Sequence, residues 1–343
     1  MKNADATMMK YIAEIPDQFA ESLQFDYSFT EKYKRDYFNI LVSGVGGSAI
    51  GGDILRIIAQ HKTSIPIAVN RNYDIPAYVN ENTLFLAVSY SGNTEETIAS
   101  VQKASDKKAN IICITSGGKI AKMADLMGWG KVILPGGLPP RAATGYLFAP
   151  LALILEEIGY LPGVNGEIQE TIKILKYIWN DYGLSAPAEE NKALSIAREL
   201  KRTIPVIWGA QGATEISALR WKTQLNENTK CLAYYNVFPE LNHNELVGLE
   251  IPDSLISQMV AVFLCDNHEH YRIKKRMEIT QNLIADKIKK VIKVNSQGES
   301  LMARIYSLCY IGDLVSVYLA AEYDIDPNPT HMIDYLKEKL ADV

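Results

Sequence analysis

Between residues 36 and 160 the chain alternates short apolar runs with segments of helical spacing. F-N-I-L-V-S-G (38–44) leads into a glycine turn, G-V-G-G-S-A-I-G-G (44–52), and then the apolar helix pattern D-I-L-R-I-I-A. I-P-I-A-V-N (65–70) and T-L-F-L-A-V (83–88) are the next strand patterns, and E-E-T-I-A-S-V-Q-K-A (95–104) has helical spacing with acids in its first turn. A-N-I-I-C-I-T-S-G and K-V-I-L-P-G-G repeat the alternation. Runs that are apolar throughout, each followed by a helix, predict a parallel sheet covered on both faces. A polar stretch, N-D-Y-G-L-S-A-P-A-E-E-N (180–191), reads as a linker. T-I-P-V-I-W-G-A (203–210) then restarts the pattern with a second glycine turn and the helix A-L-R-W-K-T-Q-L-N-E-N. P-T-H-M-I-D-Y-L-K-E-K-L (329–340) predicts a closing helix with Pro329 and Thr330 at its start. The expected organisation is an N-terminal α/β domain over 1–155, a helical connection over 156–194 and a second α/β domain over 195–343.

The hydroxyls of A-V-S-Y-S-G-N-T-E-E-T (87–97) change this picture from architecture to chemistry. Ser89, Ser91 and Thr94 fall on the turn between a buried strand and a helix start. One Ser, Thr or Asn suffices to cap a helix. Several small hydroxyls beside a helix N-terminus instead make a site for an anion, with neutral donors and the helix dipole acting together. The earlier glycine turn resembles a dinucleotide fingerprint, since Gly44 and Gly46 are present and Ala49 fills the third place. An acidic ribose partner at the end of the next strand is missing, because Val69-Asn70 stands there. Taken together, the two turns predict one phosphate site at a sheet edge, with Ser48 joining Ser89, Ser91 and Thr94.

Composition narrows the alternatives. The 343 residues carry 40 acidic and 35 basic side chains, a net charge of -5, which does not suit a nucleic-acid partner. The first residues contain no apolar signal core, and no uncharged apolar stretch reaches membrane-spanning length, so a cytoplasmic location without membrane contact is expected. The four cysteines form no C-x-x-C pair, and the five histidines show no metal-ligand spacing. His268 and His270 flank Glu269, an arrangement that fits a solvated turn better than a metal site. Neither metal nor other cofactor is expected.

G-G-S-A-I-G-G-D with S-Y-S-G-N-T-E-E-T resembles the sugar isomerase (SIS) domain, a flavodoxin-like fold that binds phosphosugars. P-P-R-A-A-T-G-Y (139–146), L-N-E-N-T-K (225–230) and P-E-L-N-H-N-E (239–245), in that order, are similar to the bifunctional phosphoglucose/phosphomannose isomerases, which have two SIS domains. The resemblance spans nearly the whole chain. It implies an aldose–ketose isomerase acting on glucose 6-phosphate and mannose 6-phosphate through a cis-enediol. It implies that Glu227 is the proton-shuttling base, His243 the ring-opening group and Arg141 the cation that stabilises the enediolate. Lys337 matches a lysine that assists ring opening, with Lys339 as its competitor, and Thr330 matches the threonine that leaves room for the mannose epimer. Gly47, Ser48, Ser89, Ser91 and Thr94 become the phosphate-binding set. A homodimer is implied, with His243 donated across its interface. The residues alone read more plainly: Glu227 as a solvated helix position, His243 as a loop histidine, Thr330 as a helix cap. A phosphosugar-binding regulator and an isomerase for another sugar phosphate are the competing readings. A regulator would have no use for Glu227, His243 and Arg141 together. A nucleotide-dependent dehydrogenase ranks last.

Overall fold

The computed structural model describes residues 3–341. In chain order its elements are α1 (Asn3–Ala13), α2 (Ile15–Ser22), β1 (Asn39–Ser43), α3 (Gly47–Ala59), β2 (Ile67–Asn70), β3 (Thr83–Val88), α4 (Glu95–Asp106), β4 (Asn110–Thr115), α5 (Gly118–Met127), β5 (Gly130–Ile133), α6 (Thr144–Glu157) and α7 (Val164–Tyr182). They continue with α8 (Lys192–Leu200), β6 (Ile204–Ala210), α9 (Glu215–Thr229), β7 (Tyr234–Phe238), α10 (Asp253–Ile256), β8 (Met259–Cys265), α11 (Tyr271–Ile284), β9 (Lys290–Asn295), α12 (Leu301–Glu322) and α13 (His331–Ala341). The chain divides into two compact units. One comprises Glu14–Lys176 and Gln297–Tyr306; the other comprises Met1–Ala13, Tyr177–Ser296 and Ser307–Val343. They are called here the N-terminal and C-terminal units.

In the N-terminal unit five strands pair in parallel in the order β2-β1-β3-β4-β5. All six residues of β3 are buried, as a central strand covered on both faces requires. Leu41, Phe85, Ala87 and Cys113 pack with Val101 and Ile120 in one apolar cluster. The order of the strands matters for function. From β1 the chain crosses outward to β2 and then back past β1 to β3, so the connections leaving β1 and β3 diverge. The crevice opened there, at the carboxyl ends of the strands, is where open α/β sheets take ligands.

The C-terminal unit has a four-stranded parallel sheet, β7-β6-β8-β9. Trp208, Phe238 and Phe263 form its aromatic centre, with ring centroids 5.3 to 6.2 Å apart. The polar stretch expected to be a linker ends on a buried anchor. Asn191 is 2% exposed; its Oδ1 accepts from Leu194 N, and its Nδ2 donates to Tyr182 O and Tyr318 Oη, both at 3.0 Å. Composition marked this stretch as polar but could not show that one of its amides is buried.

Among the described residues, α12 is the one helix long and apolar enough to cross a membrane, and 89% of its apolar window is buried inside the protein. It is a core helix. The four cysteines are free, and burial pushes the Cys113 and Cys309 thiols up to about 12. The two residues that lead into α12 are held from α7. Glu170 accepts from Glu299 N (2.6 Å) and Ser300 N (3.1 Å), replacing the partners that a helix start lacks. Partial burial opposes ionisation of Glu170, but those N–H groups, the Ser300 hydroxyl and the Arg304 guanidinium outweigh it and hold its pKa below the ordinary glutamate value. A carboxylate with a depressed folded-state pKa contributes stability above its unfolded pKa and loses it as pH falls through the folded one. Glu170→Gln should therefore unfold at lower urea at pH 7, a loss of about 1 kcal/mol. Its curve should converge on that of the unsubstituted protein as pH drops below 4.5, the ordinary value. A difference that stays constant with pH would exclude the charged cap.

Candidate active site

The two turns singled out by sequence meet at the β1/β3 crevice. Gly46, at a positive φ of 58°, precedes α3, and Thr94, in extended conformation, precedes α4; neither helix start receives a side-chain cap. The hydroxyls of the second turn are thus not spent on capping. Ser89, fully buried, has its Oγ 2.8 Å from Thr94 Oγ1 and accepts from Gly92 N at 3.1 Å. Ser91 is exposed, and its Oγ accepts from Asn93 N. Ser48, at the start of α3 and 5% exposed, accepts from Tyr90 N at 3.3 Å and so joins the first turn to the second. Gly92 is required where it stands: its φ is +66°, and a Cβ there would lie 1.8 Å from Gly117 O.

Arg141 belongs to the same neighbourhood. It sits on a 3-10 turn, Pro140–Ala142, and is 6% exposed. A Cβ on Gly47 would come within 3.0 Å of Pro140 O and 3.3 Å of Arg141 N, so the glycine lets the two segments touch. Two side chains hold this turn. Tyr90 Oη donates to Pro135 O (2.7 Å) and accepts from Leu138 N (3.1 Å). Gln18, buried on α2, donates to Ala142 O (2.8 Å) and accepts from Gly145 N (3.1 Å). Neither was legible beforehand. Tyr90 lies inside the quoted motif but is one of 19 tyrosines, and Gln18 is about 120 positions away from the turn it secures.

The remaining predicted residues lie in the C-terminal unit. Glu227 is half-buried in the last turn of α9, which ends at Lys230 in the left-handed region, φ 58°. Lys230 Nζ donates to Glu227 O (2.6 Å) and to Pro327 O (3.3 Å), bringing that turn next to the segment that carries Thr330. Thr330 lies immediately before α13, and its Oγ1 is 3.3 Å from the Asp334 carboxylate. On α13 itself Lys337 is exposed, while Lys339 Nζ sits 5.8 Å from the Tyr335 ring centroid. His243 is exposed, at the end of a short 3-10 turn after β7. Two residues of its loop, Asn242 and Glu245, are anchored. Asn242 Nδ2 donates to Thr280 Oγ1 (3.0 Å) and its Oδ1 accepts from Arg276. Glu245 accepts from Trp208 Nε1 (3.1 Å) and from Asn236 Nδ2. The motif P-E-L-N-H-N-E is therefore a pinned loop that presents an exposed imidazole.

The corresponding crevice of the C-terminal unit, at the ends of β6 and β8, has different chemistry. The β8 end carries Asp266, which accepts from Ser296 Oγ, followed by His268, Glu269 and His270. His270 Nδ1 accepts from Arg272 N at the start of α11. Burial pushes the Glu269 carboxyl up. Among the described residues no group of three His, Cys, Asp or Glu is placed to hold a metal ion.

Comparison with known proteins agrees with this division. The family described as "SIS domain" matches residues 35–127, and "Bacterial phospho-glucose isomerase C-terminal SIS domain" matches residues 189–340. A bifunctional phosphoglucose/phosphomannose isomerase from Caldicellulosiruptor bescii is 42% identical over 98% of this chain and 99% of its own length. The enzyme of that name from Thermoplasma acidophilum is 36% identical over 94% of each. Among solved structures, tagatose-6-phosphate ketose/aldose isomerase from Escherichia coli superposes with a TM-score of 0.68 at 15% identity, covering 95% of this chain and 96% of that one, a likeness of fold. By its identity to these relatives over nearly its whole length, the chain belongs to the bifunctional phosphoglucose/phosphomannose isomerase family.

Proposed function

We propose that the protein interconverts glucose 6-phosphate, and mannose 6-phosphate, with fructose 6-phosphate. The observation that carries this reading is the β1/β3 crevice, where two uncapped helix starts meet Ser48, Ser89, Ser91 and Thr94. Donors of this kind hold a dianion without a basic side chain that would interfere with proton transfer. The Gly47 backbone N–H is assigned to complete the phosphate set, while that of Ser48 donates to Val45 O (3.2 Å).

Isomerisation moves a carbonyl from C1 to C2 without net oxidation. The sugar ring must first open, which needs a proton delivered to the ring oxygen and one removed from the anomeric hydroxyl. His243 is assigned this task, with Lys337 assisting at the ring oxygen. In the open form a base takes the proton from C2, and the electron pair left behind makes the C1–C2 double bond of an enediolate. The same base returns the proton to C1 while the O2 hydroxyl proton passes to O1. Glu227 suits a base that must accept and then release one proton. Arg141 suits the developing charge, since its guanidinium stays ionised and donates in a fixed fork. The enediolate is common to the two aldoses, which differ only in configuration at C2, so one base serves both sugars. Thr330 is assigned the role of admitting the mannose epimer.

The active form is assigned as a homodimer, in which His243 acts on the substrate of a second copy. Its support is the pinned loop: Asn242 and Glu245 hold their partners while the ring between them faces outward. Four unbridged cysteines suit a reducing compartment, the cytoplasm.

Two experiments test this reading. Coupled turnover of glucose 6-phosphate and mannose 6-phosphate to fructose 6-phosphate, with EDTA present, should proceed in the unsubstituted protein. In Glu227→Gln it should fall by about 10²- to 10⁴-fold, the range for loss of a general base. Turnover of glucose 6-phosphate alone would remove Thr330 from the account, and phosphosugar binding without turnover of either sugar would favour a regulator. Thr94→Val, which removes a hydroxyl but keeps the shape, should raise KM for both sugars about 10-fold or more, as expected for one hydrogen bond to a charged group, with kcat little changed. An unchanged KM would take the phosphate away from this turn.

A further inference from the structure

Helix α9 carries polar side chains where a core helix would be apolar. Arg220, Gln224 and Asn228 recur every four residues on one stripe and are at most 2% exposed. They face α12 within the C-terminal unit. Asp313, 1% exposed, accepts from Arg220 Nη2 at 2.7 Å and from Gln224 Nε2 at 2.8 Å. One turn on, Ser316 Oγ accepts from Asn228 Nδ2 (2.9 Å) and donates back to Asp313 O (2.7 Å), while Thr229 Oγ1 donates to Ser316 O (2.8 Å).

Burying an ion pair and two amides is a costly way to join helices, because the desolvation can exceed the attraction gained. What the arrangement adds over apolar packing is direction. Greasy ridges tolerate a small roll or slide, whereas a carboxylate shared by Arg220 and Gln224, and a hydroxyl bonded to Asn228, have one register. The stripe ends beside Glu227, the residue immediately before Asn228. With side chains reaching about 5–6 Å from a helix axis, a roll of roughly 20° would move the Glu227 carboxylate by about 2 Å. Misplacement of a reacting group by about 1 Å can cost some 100-fold in rate.

We propose that Ser316 is a positioning residue for Glu227. Its hydroxyl and carbonyl fix the last turn of α9, and the Asp313–Arg220–Gln224 cluster fixes the turns before it. The proposal rests on the reading of Glu227 as the base. It differs from a purely structural role in that losing the Ser316 hydroxyl should disturb proton transfer more than folding or binding.

The test uses the full-length protein with Ser316→Ala, Ser316→Thr, Glu227→Gln and the double variant Ser316→Ala/Glu227→Gln. Glucose 6-phosphate labelled with deuterium at C2 serves as substrate. Ser316→Ala is expected to lower kcat about 10-fold or more with KM within about twofold, the signature of an interaction that matters at the reacting centre. The share of label transferred from C2 to C1, rather than lost to water, should fall with it. Ser316→Thr, which keeps the hydroxyl, should restore both. In the Glu227→Gln background the alanine substitution should cost nothing further, because the group it positions is gone. Should Ser316→Ala fail to fold, Asn228→Leu breaks the same bond from α9 and is expected to give the same kcat and label changes. Normal kcat and label transfer in a folded variant lacking this bond would overturn the proposal. So would an equal loss in the Glu227→Gln background, which would mark Ser316 as general support. If Glu227→Gln itself keeps full turnover, the reading of the base fails first, and the experiment distinguishes the two.

Discussion

The divergence of the chain at the carboxyl ends of β1 and β3 is the constraint on which the candidate site depends. In the order β2-β1-β3-β4-β5, the connections that follow these two neighbouring strands must run in opposite directions. Two helices, α3 and α4, therefore start side by side with their N–H groups toward one crevice. A cap on either start would spend those donors, and neither has one. The hydroxyls bond to one another and to turn backbone instead, which fixes the shape of the cradle. Arg141 reaches this place because Gly47 has no side chain and because Tyr90 and Gln18 hold the Arg141 turn from two directions. The candidate anion site and its neighbouring arginine are thus placed by strand order plus a few close approaches.

The C-terminal unit treats the same architecture differently. Its crevice carries Asp266, Glu269 and two histidines and has no counterpart of the S-Y-S-G-N-T turn, although the Ser296 and Thr214 hydroxyls are bonded there. Its contribution is a helix held in register and an anchored loop. The α9–α12 cluster spends a buried ion pair on the first, and Asn242 with Glu245 secure the second. Glu227 is half-buried beside the fully buried Asn228, and His243 is exposed between two anchored neighbours.

The legibility of these features in the sequence follows from their range. Central strands announced themselves because β3 and β4 are covered on both faces and read as unbroken apolar runs. The hydroxyl turn is legible because its residues are adjacent in sequence and lie between a clear strand and a clear helix. Arg141, Glu227 and His243 are singled out by motif resemblance alone; as isolated residues, the arginine, helical glutamate and loop histidine have bland readings. What stayed hidden is long-range polar pairing. Arg220 and Asp313 are 93 positions apart, and Gln18 and Gly145 are 127 apart. No periodicity reports such partners, and the polar stripe of Arg220, Gln224 and Asn228 on α9 is buried. The enclosed side chain of Asn191, at the end of the polar stretch 180–191, is hidden for the same reason.

The central claim is that the hydroxyl turn of the β1/β3 crevice takes the phosphate of a sugar phosphate. The most direct test is a crystal structure of Glu227→Gln, slowed so that substrate persists, with fructose 6-phosphate bound. The account predicts the phosphate oxygens within about 3 Å of the Ser89, Ser91 and Thr94 hydroxyls or their neighbouring N–H groups. A phosphate held elsewhere would contradict it.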